Sequence, residues 1–219
     1  MSEISNGASQ RDSTSSFLRQ FARQRPSAEK EERCELCSAG LGPAHQHLLD
    51  PKSRQILCAC DGCVILFCGQ AGAHFLRVPR RIRRFVDFQI TDLQWEALMI
   101  PINLAFFYRD SAAARMLAMY PSPAGATESL LSLESWQEIA AENTELQTME
   151  PDVEALLVNR IGDAAEYYLV PIDECYRLVG LIRMHWHGLS GGAEVWKEIH
   201  QFFASLRARG TESRRAAHA

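Results

Sequence analysis

The clearest periodicity of apolar positions lies in the last quarter of the chain, in two segments separated by the glycine-rich stretch 188–192. In each segment, large apolar residues recur every three or four positions, which places them on one face of a helix. These residues are Cys175, Leu178, Val179, Ile182 and Trp186 in the first segment, and Val195, Ile199, Phe202, Phe203 and Leu206 in the second. The pattern predicts two amphipathic helices, and Asp173 is expected to cap the first.

Shorter apolar runs in the rest of the chain predict strands, several of them joined by tight turns. The runs cover residues 46–50, 54–59, 64–67, 74–78, 102–108, 115–120, 153–160 and 166–170. Two further helices are predicted. One opens at the capping box Thr91-x-x-Gln94 and ends before Pro101, and the other covers residues 135–149. Strands joined by tight turns favour a mostly antiparallel sheet with packed helices, so the predicted fold class is α+β.

Composition divides the chain into four parts. Residues 1–33 are rich in Ser, Arg, Glu and Gln, and we expect them and residues 209–219 to be disordered tails. Between the tails, the sequence predicts a cysteine-rich head over residues 34–78 and an α+β body over residues 79–208. The chain of 219 residues is long enough for a small head and one substantial core.

The overall charge and hydropathy disfavour several classes of partner. A net charge of −4 gives no general attraction to nucleic acid or to an anionic membrane. No apolar run is long enough to span a bilayer, and the N-terminus lacks the apolar segment of a secretory signal. We therefore expect a cytoplasmic protein without membrane contact. Its thiols would be reduced, which favours metal binding over disulfides.

The cysteines carry the sharpest chemical signal in the sequence. Six of the seven lie between residues 34 and 68, and four of them form two Cys-x-x-Cys pairs with twenty-two residues between the pairs. The pairs are Cys34 with Cys37 and Cys60 with Cys63. Two such turns can present four thiolates to one ion, so the sequence predicts a zinc site in a β-rich, zinc-ribbon-like head. The metal would replace a core that is too small to fold alone.

Other residues near the pairs are alternative ligands. Cys58 lies two residues before Cys60, so on a strand both would face the same side, and Cys58 could replace Cys60. His45 and His47 also share a strand face, and either could join the site. We interpret the isolated cysteines, Cys68 and Cys175, as small buried hydrophobic residues.

The same four thiolates also suit iron, as a rubredoxin-type centre or within an iron–sulfur cluster. Rubredoxin-type turns usually carry a glycine after the second cysteine and a proline after the third. Here Ser38 and Asp61 occupy those positions, which favours zinc over iron.

Two further sets of residues have structural interpretations. The arginines between residues 77 and 84 suggest nucleic-acid binding, but we favour a solvated linker that pairs with carboxylates of the body or of an acidic protein. His185 and His187 lie two residues apart on a predicted helix, so they point in different directions and cannot both reach one ion. The sequence contains no recognisable catalytic motif, and we expect no enzymatic activity.

Two sets of motifs resemble those of an uncharacterised bacterial family with a cysteine-rich metal-binding head. The first set is Cys34-x-x-Cys37, His45-x-His47-Leu48-Leu49 and Cys58-x-Cys60-x-x-Cys63, followed by Leu66-Phe67. The second set is the segment 170–180 together with His185-Trp186-His187-Gly188 and the residues up to Gly192. The resemblance covers roughly residues 33–207, and that family is typically encoded beside [NiFe]-hydrogenase genes, notably in actinobacterial-type clusters.

The resemblance implies a genetic neighbourhood, that of hydrogenase genes, but it implies no reaction. It leads us to expect a non-enzymatic accessory or assembly protein whose partner is a [NiFe]-hydrogenase subunit or its maturation machinery. A rubredoxin-type iron electron carrier for a hydrogenase is the alternative hypothesis. A third hypothesis, which the net charge disfavours, is a nucleic-acid-binding regulator that uses the head and the arginine run.

Overall fold

A computed structural model describes residues 32–69, 72–130, 133–188 and 191–214. Most of the two predicted tails, residues 1–31 and 215–219, lies outside these ranges. The strands are β1 (Gln46–Leu49), β2 (Ile56–Ala59), β3 (Leu76–Arg77), β4 (Arg83–Phe85), β5 (Leu104–Asp110), β6 (Arg115–Ser122), β7 (Gly125–Ser129), β8 (Glu154–Asn159), β9 (Glu166–Pro171) and β10 (Thr211–Ser213). The helices are α1 (Asp61–Phe67), α2 (Asp92–Ala97), α3 (Leu133–Glu142), α4 (Ile172–His185) and α5 (Gly192–Arg209), with a 3₁₀ helix over Thr144–Thr148.

The body is built on a seven-stranded sheet in the order β10-β4-β9-β8-β5-β6-β7. Every neighbouring pair is antiparallel except β10 and β4, which run parallel. The predicted α+β class with a mostly antiparallel sheet is therefore confirmed. Among the described helices, none has the length and apolar character that a bilayer crossing requires.

Helices cover both faces of this sheet. On β5, Leu104 and Phe106 belong to the core beneath α4 and α5, whereas Ala105 and Phe107 belong to a second core beneath α2, α3 and the 3₁₀ helix. This alternation follows from the two-residue period of a strand. Because both faces are buried, the central strands appear in the sequence as continuous apolar runs.

The two C-terminal helices agree with the sequence analysis in their buried positions, but the predicted cap of the first is wrong. Helix α4 buries Cys175, Leu178, Val179 and Ile182, and α5 buries Val195, Ile199, Phe202, Phe203 and Leu206. Helix α4 begins one residue before Asp173, so this carboxylate lies in the first turn, where its Oδ1 accepts the N–H of Glu174 while its Oδ2 contacts His47. The capping box of α2 is confirmed, with Thr91 and Gln94 bonded reciprocally.

Three strands are not predicted by the sequence. Strand β4 lies in the arginine-rich segment interpreted as a linker, whereas β7 and β10 both lack large apolar residues. Strand β7 has the sequence Gly-Ala-Thr-Glu-Ser and pairs with the end of β6, which continues through Pro121 rather than stopping there. Strand β10 lies in the predicted C-terminal tail, and pairing with β4 holds it in place. Since neither β7 nor β10 shows an apolar alternation, only the neighbouring strand identifies each of them.

The head contains a three-stranded sheet, β2-β1-β3, and helix α1. The hairpin of β1 and β2 is as predicted, but the predicted buried strand at 64–67 is wrong, because these residues complete α1. Of this run only Val64 is buried, and the side chains of Ile65, Leu66 and Phe67 are 74%, 66% and 44% exposed. A short apolar run does not distinguish a strand from a helix, and the spacing of Cys60 and Cys63 suits a helical turn.

The head is fused to the body through a shared core and an arginine. Leu49 and Val78 of the head are buried within the same core as α4 and α5. From the β1–β2 turn, the guanidinium of Arg54 lies 4.4 Å from the ring centre of Tyr108, and its Nη1 donates to Asp152 at 3.0 Å. The Asp152 side chain is only 3% exposed, so the pair is shielded from water.

We predict that Arg54→Ala lowers the free energy of unfolding by roughly 2–4 kcal/mol, because it leaves the Asp152 carboxylate buried without its cation. The matched control is Arg115→Ala, which breaks a 2.9 Å ion pair with Glu128 whose two side chains are about half exposed. That change should cost less than about 1 kcal/mol. Urea unfolding of both variants is the measurement, and equal losses would contradict this account of the head–body contact.

Candidate metal centre

The first cysteine pair forms a tight turn that is bonded to strand β2. The Ser38 N–H donates to the Cys34 carbonyl at 2.7 Å, and the Cys34 N–H donates to the Ala39 carbonyl at 2.8 Å. Between the cysteines, Glu35 donates its N–H to the Cys58 carbonyl at 2.9 Å and accepts the Cys58 N–H on its carboxylate at 2.6 Å. These bonds fix the turn against the hairpin, so both of its sulfurs have a defined direction.

The second pair lies at the N-terminus of α1. Cys60 is the N-cap residue in an extended conformation, and Cys63 lies in the first helical turn. Residues three apart on a helix share one side, so both sulfurs point away from the helix toward the first pair. The second pair is therefore followed by a helix, in place of the strand that the sequence predicts at residues 64–67.

The structure brings together the four cysteines of the two predicted pairs. Their sulfurs all lie within 4.8 Å of one another, and the sulfurs of Cys37 and Cys60 are 3.6 Å apart. Tetrahedral bonds of about 2.3 Å from zinc to sulfur would separate neighbouring sulfurs by about 3.8 Å. All four cysteines are free, and their spacing is too wide for a disulfide but suits a shared ion. The group can hold one metal ion.

The site has a dry inner side and an open outer side. Cys34 and Cys63 are buried against the small apolar cluster of the head, which includes Leu48 and Val64. Cys37 is exposed, and Cys60 is half-buried. An ion bound here would be held against the head on one side and would lie close to solvent on the other.

Electrostatics favour a cation among the four sulfurs. Burial raises the pKa of Cys34, but the backbone N–H groups of Cys60, Leu36 and Cys37 outweigh it and lower the pKa to about 6. Burial and the neighbouring sulfurs raise the pKa of Cys63. One thiolate is therefore stabilised by the protein alone, whereas four together repel one another unless a divalent cation offsets their charge.

The alternative ligands do not join this group. Cys58 lies on β2 and belongs to a separate group with His45 and His47, whose ligand atoms also lie within 4.8 Å of one another. Strand β2 ends before Cys60, so Cys58 and Cys60 do not share a strand face. Cys175 is fully buried in the body, and burial raises its pKa well above the ordinary value, whereas Cys68 packs half-buried against the head cluster.

The arginines of residues 77–84 bond to the protein itself, but the segment is not a solvated linker throughout, because Arg77 lies in β3 and Arg83 and Arg84 lie in β4 of the body sheet. Arg81 contacts the carboxylates of Glu150 at 2.6 Å and of the fully buried Glu154 at 2.7 Å. The others bond mainly to polar groups: Arg77 to Gln46, Arg80 to the His45 carbonyl, Arg83 to Thr148, and Arg84 to Glu212.

The two histidines near the end of α4 do not form a metal group within the described residues. His185 is the last residue of the helix, and its Nδ1 lies 3.3 Å from a carboxylate oxygen of Glu194 on α5. The backbone N–H of His187 donates to the Gly191 carbonyl at 3.0 Å. Both residues therefore help to close the connection between the last two helices.

Sequence reasoning missed one residue near the candidate sites. The Oδ2 atom of Asp173 lies 2.6 Å from Nδ1 of His47, and this contact raises the pKa of His47 against the opposing effect of burial. The two residues are 126 positions apart, and the position of Asp173 at a helix start suggested a cap instead. No local signal connects them.

We predict that Cys60→Ser removes the ion from the four-cysteine group and lowers the melting temperature by roughly 10 °C, because a head of this size depends on its metal. Cys68→Ser is the matched control, since Cys68 lies in the same head outside the group. The measurements are metal content by mass spectrometry and thermal unfolding by circular dichroism. A Cys60→Ser protein with full metal content and unchanged melting would refute the ligand assignment.

Comparison with known proteins gives a family and no activity. A family model described as a family of unknown function (DUF5947) matches residues 33–210, a range that includes the head and nearly all of the body. No curated protein and no solved structure matches the chain. Since the family model covers well over half of the chain, the protein belongs to this family of unknown function, DUF5947.

Proposed function

We propose that the protein is a non-enzymatic, zinc-binding accessory or assembly factor that docks onto a protein partner. The observation that carries this proposal is an apolar surface on α1, formed by Ile65, Leu66 and Phe67. It begins two residues after Cys63, so an ion held by the four cysteines would fix the end of the helix that presents it.

The length of α1 supports a structural role for the ion. A helix of seven residues is too short to persist in water, because nucleating the first turn is costly. Cys60 and Cys63 occupy that first turn, so coordination would hold it in place. Zinc suits this role because it is not redox-active and accepts four thiolates in a closed tetrahedral shell.

The apolar side chains of α1 explain why the partner would be a protein. Full burial of one large apolar side chain contributes about 1.5–3 kcal/mol, so three adjacent residues can form the centre of an interface. By the resemblance of the head and C-terminal motifs, we propose that the partner is a [NiFe]-hydrogenase subunit or a component of its maturation machinery. The arginine run is already bonded within the protein, which favours this function over a nucleic-acid-binding regulator.

A rubredoxin-type iron electron carrier for a hydrogenase remains the second candidate, and the exposure of Cys37 favours it. Iron held by four thiolates exchanges electrons most readily when a ligand lies near the surface, and the same four sulfurs bind either metal.

Metal analysis with a visible spectrum, on protein purified without a metal-affinity tag, separates the two functions. The accessory factor is expected to contain zinc and to be colourless. Stoichiometric iron with visible charge-transfer absorption would instead support the electron carrier, and its reduction potential would be the next measurement.

We predict that the double variant Ile65→Glu/Leu66→Glu weakens partner binding by about 100-fold or more, because two buried apolar contacts become charged. The matched control is Leu93→Glu, which changes an equally exposed leucine on α2 and should leave binding unchanged. The assay is co-purification and calorimetry with co-expressed hydrogenase subunits and maturation proteins, with metal content measured in parallel. Unchanged binding of the double variant would exclude α1 as the docking surface, and failure of the unaltered protein to bind any of them would exclude this class of partner.

A further inference from the structure

We propose that the head contains a second, independent transition-metal site formed by His45, His47 and Cys58. The site lies on one face of the β1–β2 hairpin. His47 and Cys58 are directly opposite each other in the strand register. His45 lies just before β1 begins, with its ring centre 4.9 Å from that of His47. The three ligand atoms lie within 4.8 Å of one another, and none belongs to the four-cysteine group.

The orientation of the two imidazoles matches that of metal ligands. Nδ1 of His45 lies 3.0 Å from the Gly42 carbonyl oxygen, which can only accept, so Nδ1 carries a proton. Nδ1 of His47 lies 2.6 Å from the Asp173 carboxylate, which favours the same tautomer. In each ring the Nε2 atom then offers a lone pair. A metal-bound histidine commonly bonds its other nitrogen to a carbonyl or carboxylate in this manner.

The Nε2 lone pairs of the two histidines converge on one position. The Nε2 atoms of His45 and His47 are 3.2 Å apart, and two acceptors at that distance repel each other unless a cation lies between them. Bonds of about 2.05 Å to a tetrahedral zinc ion would place two nitrogens about 3.4 Å apart. A shared proton would also relieve the repulsion, but it would not account for the sulfur of Cys58 within reach of both nitrogens.

Two nitrogens and one sulfur select a borderline transition metal, with zinc first, and disfavour magnesium and calcium. Within the described residues the group offers three ligands, whereas a four-coordinate ion needs four. The remaining position would therefore take water or a small external donor. This distinguishes the site from the four-cysteine group, where the protein can fill the whole shell.

The test is the zinc content of the full chain, purified without a metal-affinity tag from zinc-supplemented cells. The unaltered protein should contain about two zinc ions per chain, and the double variant His45→Ala/His47→Ala should contain about one. His74→Ala is the matched control, because this exposed histidine of the head lies outside both groups, and two ions should remain. Equal zinc content in the unaltered protein and the double variant would overturn the proposal.

Two further measurements decide the case in which the double variant fails to fold. Asp173→Asn leaves all proposed ligands in place and should weaken zinc binding at the second site by about 10- to 100-fold, with the first ion unaffected. In the unaltered protein, nitrogen-15 NMR should show two imidazoles in the Nδ1–H tautomer whose Nε2 signals shift when zinc is added. Zinc-independent Nε2 signals, or equal zinc affinity in Asp173→Asn, would overturn the proposal.

Discussion

The convergence of four cysteine sulfurs within 4.8 Å of one another is the constraint on which the head depends. The head has only short strands and a small apolar cluster around Leu48 and Val64, too little to hold this geometry by burial alone. The path of the polypeptide through the head instead follows from the positions of the four sulfurs. The first pair requires a turn bonded to β2, and the second requires a helix start, so the hairpin between them must bring two distant turns together.

The body supplies what the head lacks, through contacts of three kinds. Leu49 and Val78 extend the body core into the head, and Arg54 reaches the buried Asp152. At the other end of the hairpin, the first turn of α4 places Asp173 against His47. Because these contacts combine burial, charge and hydrogen bonding at separate points, the orientation of the hairpin is fixed about more than one axis. The candidate metal ligands that the hairpin carries are therefore fixed together with it.

Sequence patterns predicted the structural features that depend on interactions between residues close together in the sequence. The periodicity of α4 and α5 identified their buried faces, and the Thr91–Gln94 capping box marked the start of α2. The spacing of the cysteines also predicted which four sulfurs lie close together. Sequence patterns failed where a distant partner decides the structure: β7 and β10 have no apolar alternation, and Asp173 contacts a histidine 126 residues away. The composition of residues 64–67 predicts a strand, whereas these residues complete the helix that begins after Cys60.

The two candidate metal groups are physically coupled, although they share no ligand. Glu35 lies between the two cysteines of the first pair, and it bonds both the N–H and the carbonyl of Cys58, a member of the second group. An ion that orders the first turn would therefore also fix the backbone that carries Cys58. The rest of the hairpin is held independently of either ion, by Arg54 and by the shared core. Binding at either group should thus raise the affinity of the other by the same factor, because the coupling free energy between two binding sites is reciprocal.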